Sequence, residues 1–515
     1  MTWPLPKRIR SDTLSASSSE TPSTSCTSMV KPYLTLKILE NRTDGKIIEL
    51  SDAESESSHE PLKPVSIFDI KDIIDQVYFQ DNTMVFETLL SHQHIVVIIY
   101  PPGTGKTTIA ILLEAFLWST DLPDKVNRFF ENCEFATQCP DKYEKFRKSA
   151  NVAYINFEAI EGRNKGDFQK SLIEIMLNAF KKYFNENVFE KAQVLMSTHG
   201  SVYVSLQKFI RELTMKDRTK TKTYLLLDSC DKVYDTIAQL GAESWQICKR
   251  FTQFLSTSYS NTFADDVVTI CFGVSGYFAP QLSGMACFYD IDEEKSIVGK
   301  YFSYSTNTIN KVIEKYDLDA TDTLDKCLKV AKFKFNGNSF LNPAICVSFL
   351  RSLYLKRNHF HVNIAPRPLW LSCIFTQEDK DSLSEVLRGP CEKEFLLYVR
   401  MSHIIEEMYN ERTPDGKLFY SMFIFGGFLS CVQCEDKERY QIDVANETTR
   451  CLLEKSLRDG FVNYGYGIHK LMLENRWTEF CDAIKCTLTP VANSYHEEKS
   501  YKDHVCGVLS FGIRR

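Results

Sequence analysis

An α/β fold is predicted for this chain: a parallel sheet with helices on both faces, followed by a helical lid and a mostly helical C-terminal domain. Three observations lead there. Four short apolar runs, HIVVIIY (94–100), VAYINF (152–157), TYLLLD (223–228) and DVVTICFGV (266–274), are rich in branched residues and lack polar alternation. Strands covered on both faces read this way. Between the runs lie stretches of helical periodicity, and strands separated by helices pair in parallel through crossovers. From about 292 onward the apolar spacing is mostly helical.

The elements follow in order. Residues 1–63 read as a disordered tail, because SDTLSASSSETPSTSCTSMV (11–30) and SDAESESSHEPLKP (51–64) cannot bury enough apolar surface to offset chain ordering. Within that tail, an alternation at 33–39 favours a short strand. A first ordered domain spans 64–291. SIFDIKDIIDQ and MVFETLLSH have helical spacing, and HIVVIIY is the first buried strand. TTIAILLEAFLWSTD is apolar nearly all round and fits a buried helix. VAYINF is the second strand, 167–184 an amphipathic helix and 204–213 another; TYLLLD and DVVTICFGV complete the set. Residues 292–375 read as a helical lid or connector. Residues 376–515 read as a mostly helical region that closes with helices at 468–488 and 500–512. No internal repeat is visible.

Composition narrows the class. At 515 residues the chain has room for sizeable cores in about two to four domains. It is 43% apolar and 25% charged with a net charge of −6, so nothing draws it generally to nucleic acid or anionic lipid. Seventeen cysteines, an odd number, are scattered with no secretory signal before them. Reduced thiols in cytoplasm or nucleus are the expectation. PKRIR (6–10) has the composition of an import signal, though so short a cluster is more often plain solvated tail. No apolar run of about 18 residues exists, so no membrane partner is expected.

The chemistry begins at YPPGTGKTT (100–108). A loop of the form G-x-x-x-x-G-K-[ST] needs glycines where amides turn toward phosphate, a lysine for the outer phosphates and a hydroxyl for magnesium. Gly103, Gly105, Lys106 and Thr107 fall where that geometry wants them, while Tyr100 stands at the first glycine position. A buried strand before and a helix after favour this reading over a chance strand–turn–helix link. Lys106 would also be costly to bury without an anion. The expected nucleotide-binding set is Pro102, Gly103, Thr104, Gly105, Lys106, Thr107 and Thr108, with ATP and Mg2+ as ligands.

A magnesium-nucleotide site also needs a carboxylate at the end of a neighbouring strand. Asp228, closing TYLLLD, is that candidate, so Thr107 and Asp228 are the expected metal holders. The following position commonly carries a glutamate that polarises water. Here it is Ser229, which has no basicity near neutral pH. Asp231 is the candidate substitute for catalysis, and equally a helix-capping aspartate. Binding is therefore better supported than hydrolysis.

With these pieces assembled, the chain resembles the AAA-ATPase-like proteins, often joined to a C-terminal PD-(D/E)XK nuclease-like region. SIFDIKDIIDQVYFQDNTMVFETLL (66–90) is similar to the family's opening segment, and YPPGTGKT to its phosphate loop, which also commonly lacks the first glycine. ANVAYINFEAIEG (150–162) is similar to its second strand, LLLDSCDKV (225–233) to its "IDEYD" segment and CFYDID (287–292) to the strand before its lid. KFNGNSFLNPAICVSFL (334–350), FGGFLSCVQ (425–433), VANETTR (444–450) and SYKDHVCGVLSFGI (500–513) resemble its later segments. The resemblance spans about 65–513. It implies a P-loop domain, a helical lid and a helical lead-in to a nuclease core, with nucleotide state switching a partner surface. Three departures matter. Glutamate is absent at 229, and FGVSG (272–276) lacks the arginine of the family's "TG-x-x-R" strand end. The sequence stops at Arg515 where the nuclease carboxylates are expected, so nuclease activity is not expected.

Two further stretches carry weaker signals. Cys431-Val-Gln-Cys434 has the spacing of half a zinc site, but with no second pair nearby the better reading is two thiols near a buried strand. LYLKRNHFHVNIAPRPLW (353–370) mixes basic and aromatic residues as single-strand binders do, yet it reads better as a basic inter-domain connection. The leading expectation is a Mg-ATP-binding protein with slow hydrolysis, acting as a nucleotide-dependent switch on an unknown protein partner. Two alternatives stand beside it: a degenerate scaffold that binds partners without hydrolysis, and a nucleic-acid-associated factor without nuclease activity.

Overall fold

In the computed structural model of the chain, the residues described are 34–37, 49–52, 70–76, 78–92, 95–118, 122–162, 164–180, 222–238, 246–251, 267–274, 286–291, 298–354, 359–361, 377–395, 416–435 and 439–458. The helices expected at 204–213, 468–488 and 500–512 lie outside them, as does most of 1–63. Of that tail, Leu34–Lys37 (β1) is the strand expected from its alternation; it pairs antiparallel with Glu49–Asp52 (β2).

The four apolar runs become strands of one parallel sheet, and a fifth strand at 286–290 completes it. Its strands are Ile95–Ile99 (β3), Ala150–Asn156 (β4), Lys222–Asp228 (β5), Val267–Gly273 (β6) and Ala286–Asp290 (β7). Their spatial order is β4-β5-β6-β3-β7, every pairing parallel. All five residues of β3 and all seven of β6 are buried, which is why these strands show no alternation. Parallel pairing puts the carboxyl ends of all five strands along one edge. The chain leaves β3 for strands on one side of it and later returns to place β7 on the other. That reversal falls at β3, and open α/β sheets take ligands outside the carboxyl ends of strands at such a point.

Helices flank the sheet. Ile70–Ile74 (α1) and Val85–Ser91 (α2) precede it. Lys106–Trp118 (α3) packs across β4, β5 and β6 and is buried almost all round, as its sequence required. Its outer side is covered by the short helices Asp124–Asn132 (α4), Glu134–Gln138 (α5) and Pro140–Phe146 (α6); Phe116 meets Phe86, Phe130, Phe135 and Tyr143 with ring centroids 5.4–5.7 Å apart. Lys165–Phe180 (α7) packs on β4, and Cys230–Ala238 (α8) follows β5 directly.

The C-terminal part is mostly helical among the described residues. Thr306–Lys315 (α9) and Ala320–Ala331 (α10) start on Ser305 and Asp319, whose side chains accept N–H groups of their first turns. Pro343–Tyr354 (α11), Gln377–Arg388 (α12), Gly416–Phe425 (α13) and Glu447–Arg458 (α14) follow. Threaded through these helices is a second sheet that the sequence reading does not foresee. Its strands are Lys332–Phe335 (β8), Asn338–Leu341 (β9), Cys391–Glu394 (β11), Leu429–Gln433 (β12) and Arg439–Val444 (β13), in the order β11-β13-β12-β8-β9. The remaining strand, His359–His361 (β10), joins β1.

The two parts share a core. One continuous apolar cluster runs from β3, β5 and β6 to Phe333, Phe335 and Phe340 of the second sheet and on to Leu429, Ile442 and Leu453. A smaller cluster fills the space among α9, α10 and α11.

Candidate functional site

The loop after β3 is shaped by its two glycines. Gly103 and Gly105 have φ of +77° and +88°, a region that costs other residues roughly 1–2 kcal/mol. The turn they make delivers the chain into α3 at Lys106. The first N–H groups of a helix have no intrahelical partner, so those of Lys106, Thr107 and Thr108 are available to an anion. Ile109 N–H closes the first turn on Gly105 O at 3.0 Å.

Lys106 does not extend into solvent. Only 9% of its surface is exposed, and Nζ folds back to donate to Tyr100 O (2.6 Å) and Pro101 O (2.8 Å), with Thr104 Oγ1 at 3.5 Å. Thr104 is itself fixed by donating to Pro101 O at 2.8 Å. Burial pulls the lysine down to about 8, against the charges of Asp231 and Asp228, which act to raise it. A cation is thus held within the loop, beside the helix N-terminus.

Asp228 closes β5 with 1% of its surface exposed. Burial raises its carboxyl above the usual range; hydrogen bonds from Thr107, Tyr154 and Ser229, and the charge of Lys106, oppose that rise. Tyr154 Oη donates to Oδ2 at 2.9 Å and Ser229 N–H to Oδ1 at 2.9 Å. Thr107 and Asp228, far apart in sequence, therefore lie close together. Tyr154 lies on β4 one strand away, in the register that pairs Asn156 with Asp228. Nothing in its sequence context pointed to it; only the strand order brings it here. Burial, with the neighbouring Asp228 carboxylate, pushes its hydroxyl up, so it stays a donor.

Ser229 occupies the left-handed region at φ +58°, an uncommon conformation for a residue other than glycine. The bend starts α8 and brings round Asp231, whose Oδ2 accepts the backbone N–H of Val274 just beyond β6. Asp231 thus ties α8 to β6 while remaining close enough to act on Lys106.

Two contacts from the C-terminal part complete the loop. Asn342 Nδ2 donates to Pro102 O at 2.8 Å, and Ala344 N–H to Gly103 O at 3.1 Å. A Cβ on Gly103 would stand 2.8 Å from that of Ala344, and one on Gly427 would stand 2.9 Å from that of Pro101. Tyr100, at the position where a glycine was missing, is fully buried. Its ring stacks on Phe302 (4.6 Å between centroids) and meets Phe340 edge-on at 6.1 Å. The residue that breaks the motif is an anchor between the two sheets.

With this geometry in place, comparison with known families adds one result. Residues 64–276 match the family model described as Predicted AAA-ATPase. The segment is an AAA-ATPase-like domain. Its bounds take in the phosphate loop, Asp228 and Asp231; the resemblance drawn for 287–513 lies beyond the matched residues. No curated protein matches the chain. Among the described residues, no helix is long and apolar enough to cross a membrane, and no group of three His, Cys, Asp or Glu could hold a metal ion. Cys431 is buried on β12 and Cys434 lies in the following turn, where its N–H donates to Arg439 O at 2.9 Å; no disulfide joins the described cysteines.

Proposed function

We propose that the AAA-ATPase-like domain binds Mg-ATP at residues 102–108, hydrolyses it slowly at best, and uses occupancy as a switch read by a protein partner. One observation carries the reading: a buried ammonium hydrogen-bonded to loop oxygens, beside the first N–H groups of α3 and within reach of the charges of Asp231 and the buried Asp228. A lysine so placed is costly to the fold, and a polyanion is the partner that offsets the cost.

The residues fit the ligand. Positive φ at Gly103 and Gly105 turns the loop as phosphate cradles require. Lys106 would exchange its carbonyl acceptors for outer phosphate oxygens, while the amides of Gly103 to Thr108 cradle the chain of phosphates. Thr107 and Asp228 would hold magnesium, with Tyr154 orienting the carboxylate. Magnesium, when bound, neutralises charge on the outer phosphates. Asp231 is the candidate to orient water in place of the absent glutamate, once released from Val274. Equilibrium dialysis with ATP tests the assignment: affinity should fall when magnesium is chelated, and Asp228→Asn should weaken binding in magnesium and abolish that dependence. An Asp228→Asn protein as magnesium-sensitive as wild type would remove Asp228 from the site.

A second reading, a scaffold that does not hydrolyse, is favoured by Ser229 at the glutamate position and by the engagement of Asp231 with Val274. Phosphate release separates the two. Sustained magnesium-dependent release that vanishes in Lys106→Ala excludes the scaffold; no release above background excludes the slow enzyme.

A further inference from the structure

We propose that Asn342, outside the matched domain, is a positioning residue for the phosphate loop. Its side-chain amide and the N–H of Ala344 hold the backbone of Pro102 and Gly103 in the shape that receives phosphate. The inference rests on the reading of 102–108 as a nucleotide site.

Asn342 sits between β9 and α11 with 4% of its surface exposed. Each of its polar atoms has a separate partner. Its backbone N–H donates to Ala331 O (3.0 Å), and its backbone carbonyl accepts Cys346 N–H (3.0 Å). Oδ1 accepts the N–H groups of Ala344 (3.1 Å) and Ile345 (3.3 Å), an N-cap of α11. Nδ2 is left over from that structural work, and it reaches Pro102 O at 2.8 Å. Ala344 N–H adds a bond to the next carbonyl, that of Gly103, at 3.1 Å.

Pinning two successive carbonyls has a geometric consequence. In a trans peptide plane the C=O and the following N–H point in opposite directions. A Pro102 carbonyl held toward α11 turns the Gly103 N–H away from it, and a held Gly103 carbonyl does the same for Thr104 N–H. These are the amides at the centre of the proposed cradle. A loop released from α11 could rotate either plane and present carbonyl oxygens to the phosphates, which would repel them. The close fit of Gly103 against Ala344 leaves little room for that rotation while the clamp is closed.

Serine at 342 separates the two jobs of the side chain. Ser caps a helix about as well as Asn but is too short to reach Pro102 O. Titration with Mg-ATP on the full chain should give Asn342→Ser a dissociation constant roughly tenfold above wild type. Its melting temperature without ligand should stay close to wild type, and the stabilisation conferred by a fixed Mg-ATP concentration should shrink. Asn342→Ala, lacking cap and clamp, should lower the ligand-free melting temperature as well. Should the serine variant fail to fold, Asn342→Asp, nearly isosteric and equally able to cap, carries the same expectation without the donor. Wild type and Lys106→Ala run alongside. Binding by wild type, loss in Lys106→Ala and wild-type affinity in the folded 342 variant overturn this inference alone. No binding by wild type overturns the site reading and the inference together.

Discussion

Lys106 is the residue on which the proposed nucleotide binding turns, and its environment makes a pH signature. Its ordinary value of 10.5 is pulled down to about 8 by burial. Between those two values the unfolded chain binds more protons than the folded one, so this lysine's contribution to stability rises with pH there. Nucleotide binding runs the other way, because the anion needs the protonated amine. Affinity for Mg-ATP should hold steady up to about pH 8 and then fall by roughly tenfold per unit. Titrations at stepped pH measure this, and a flat profile to pH 9.5 would place Lys106 away from the ligand. Gly103 gives a second prediction. Alanine there meets both a φ of +77° and a contact at 2.8 Å, so Gly103→Ala should cost about 2–3 kcal/mol in urea unfolding. A change under half that would mean the loop can yield. At this scale Gly103, Gly105, Lys106, Thr107 and Asp228 are marked by short patterns. Tyr154 and Asn342 are not, because each reaches the site from a remote part of the chain through sheet order and packing, neither of which a local pattern encodes.

Among the elements, α3 has the most to anchor, since it carries Lys106 and Thr107. Arg147 holds its far end. The guanidinium donates to the carbonyls of Ala115 (3.2 Å) and Phe116 (2.9 Å) and to Asn127 Oδ1 (3.0 Å), and lies 4.7 Å from the centroid of the Phe130 ring. Removing it takes this donor from Ala115 O, leaves Phe116 O with the Lys148 N–H (3.0 Å), and uncovers an aromatic face. Arg147→Ala should lower stability by about 2–4 kcal/mol, read as a shift in the urea midpoint. Arg147→Lys should recover less than half, since an ammonium cannot make the same planar fork. A midpoint within error of wild type for the alanine variant would show that the fork adds nothing. The parallel strands were legible because burial on both faces writes continuous apolar runs such as IVVII. The second sheet was not: KFKF, NSFL and CEKE are four residues each, too short for period-two alternation to stand out against helical neighbours.

For the whole molecule, the matched segment and the rest of the chain are not independent. Ile99 of β3 pairs with Asp290 of β7, beyond residue 276, and Tyr100 is covered by Phe302 and Phe340. A fragment ending at 276 would bare the edge of β3 and the ring of Tyr100. An unpaired, flat, apolar edge strand invites association, so residues 64–276 alone should elute as aggregate in size-exclusion chromatography while the full chain does not. A monodisperse fragment with native far-ultraviolet circular dichroism would contradict the shared core. No local pattern foretold this sharing, since Tyr100 reads simply as a broken motif until its partners in the second part are known. The same sharing gives the proposed switch a physical route, since the loop touches Asn342, Ala344 and Gly427, which belong to the C-terminal part.

Calorimetric titration of the full chain with Mg-ATP, beside Lys106→Ala, tests the central claim most directly. The account predicts saturable one-site heat for wild type and none above dilution for the variant; identical heats from the two proteins would contradict it.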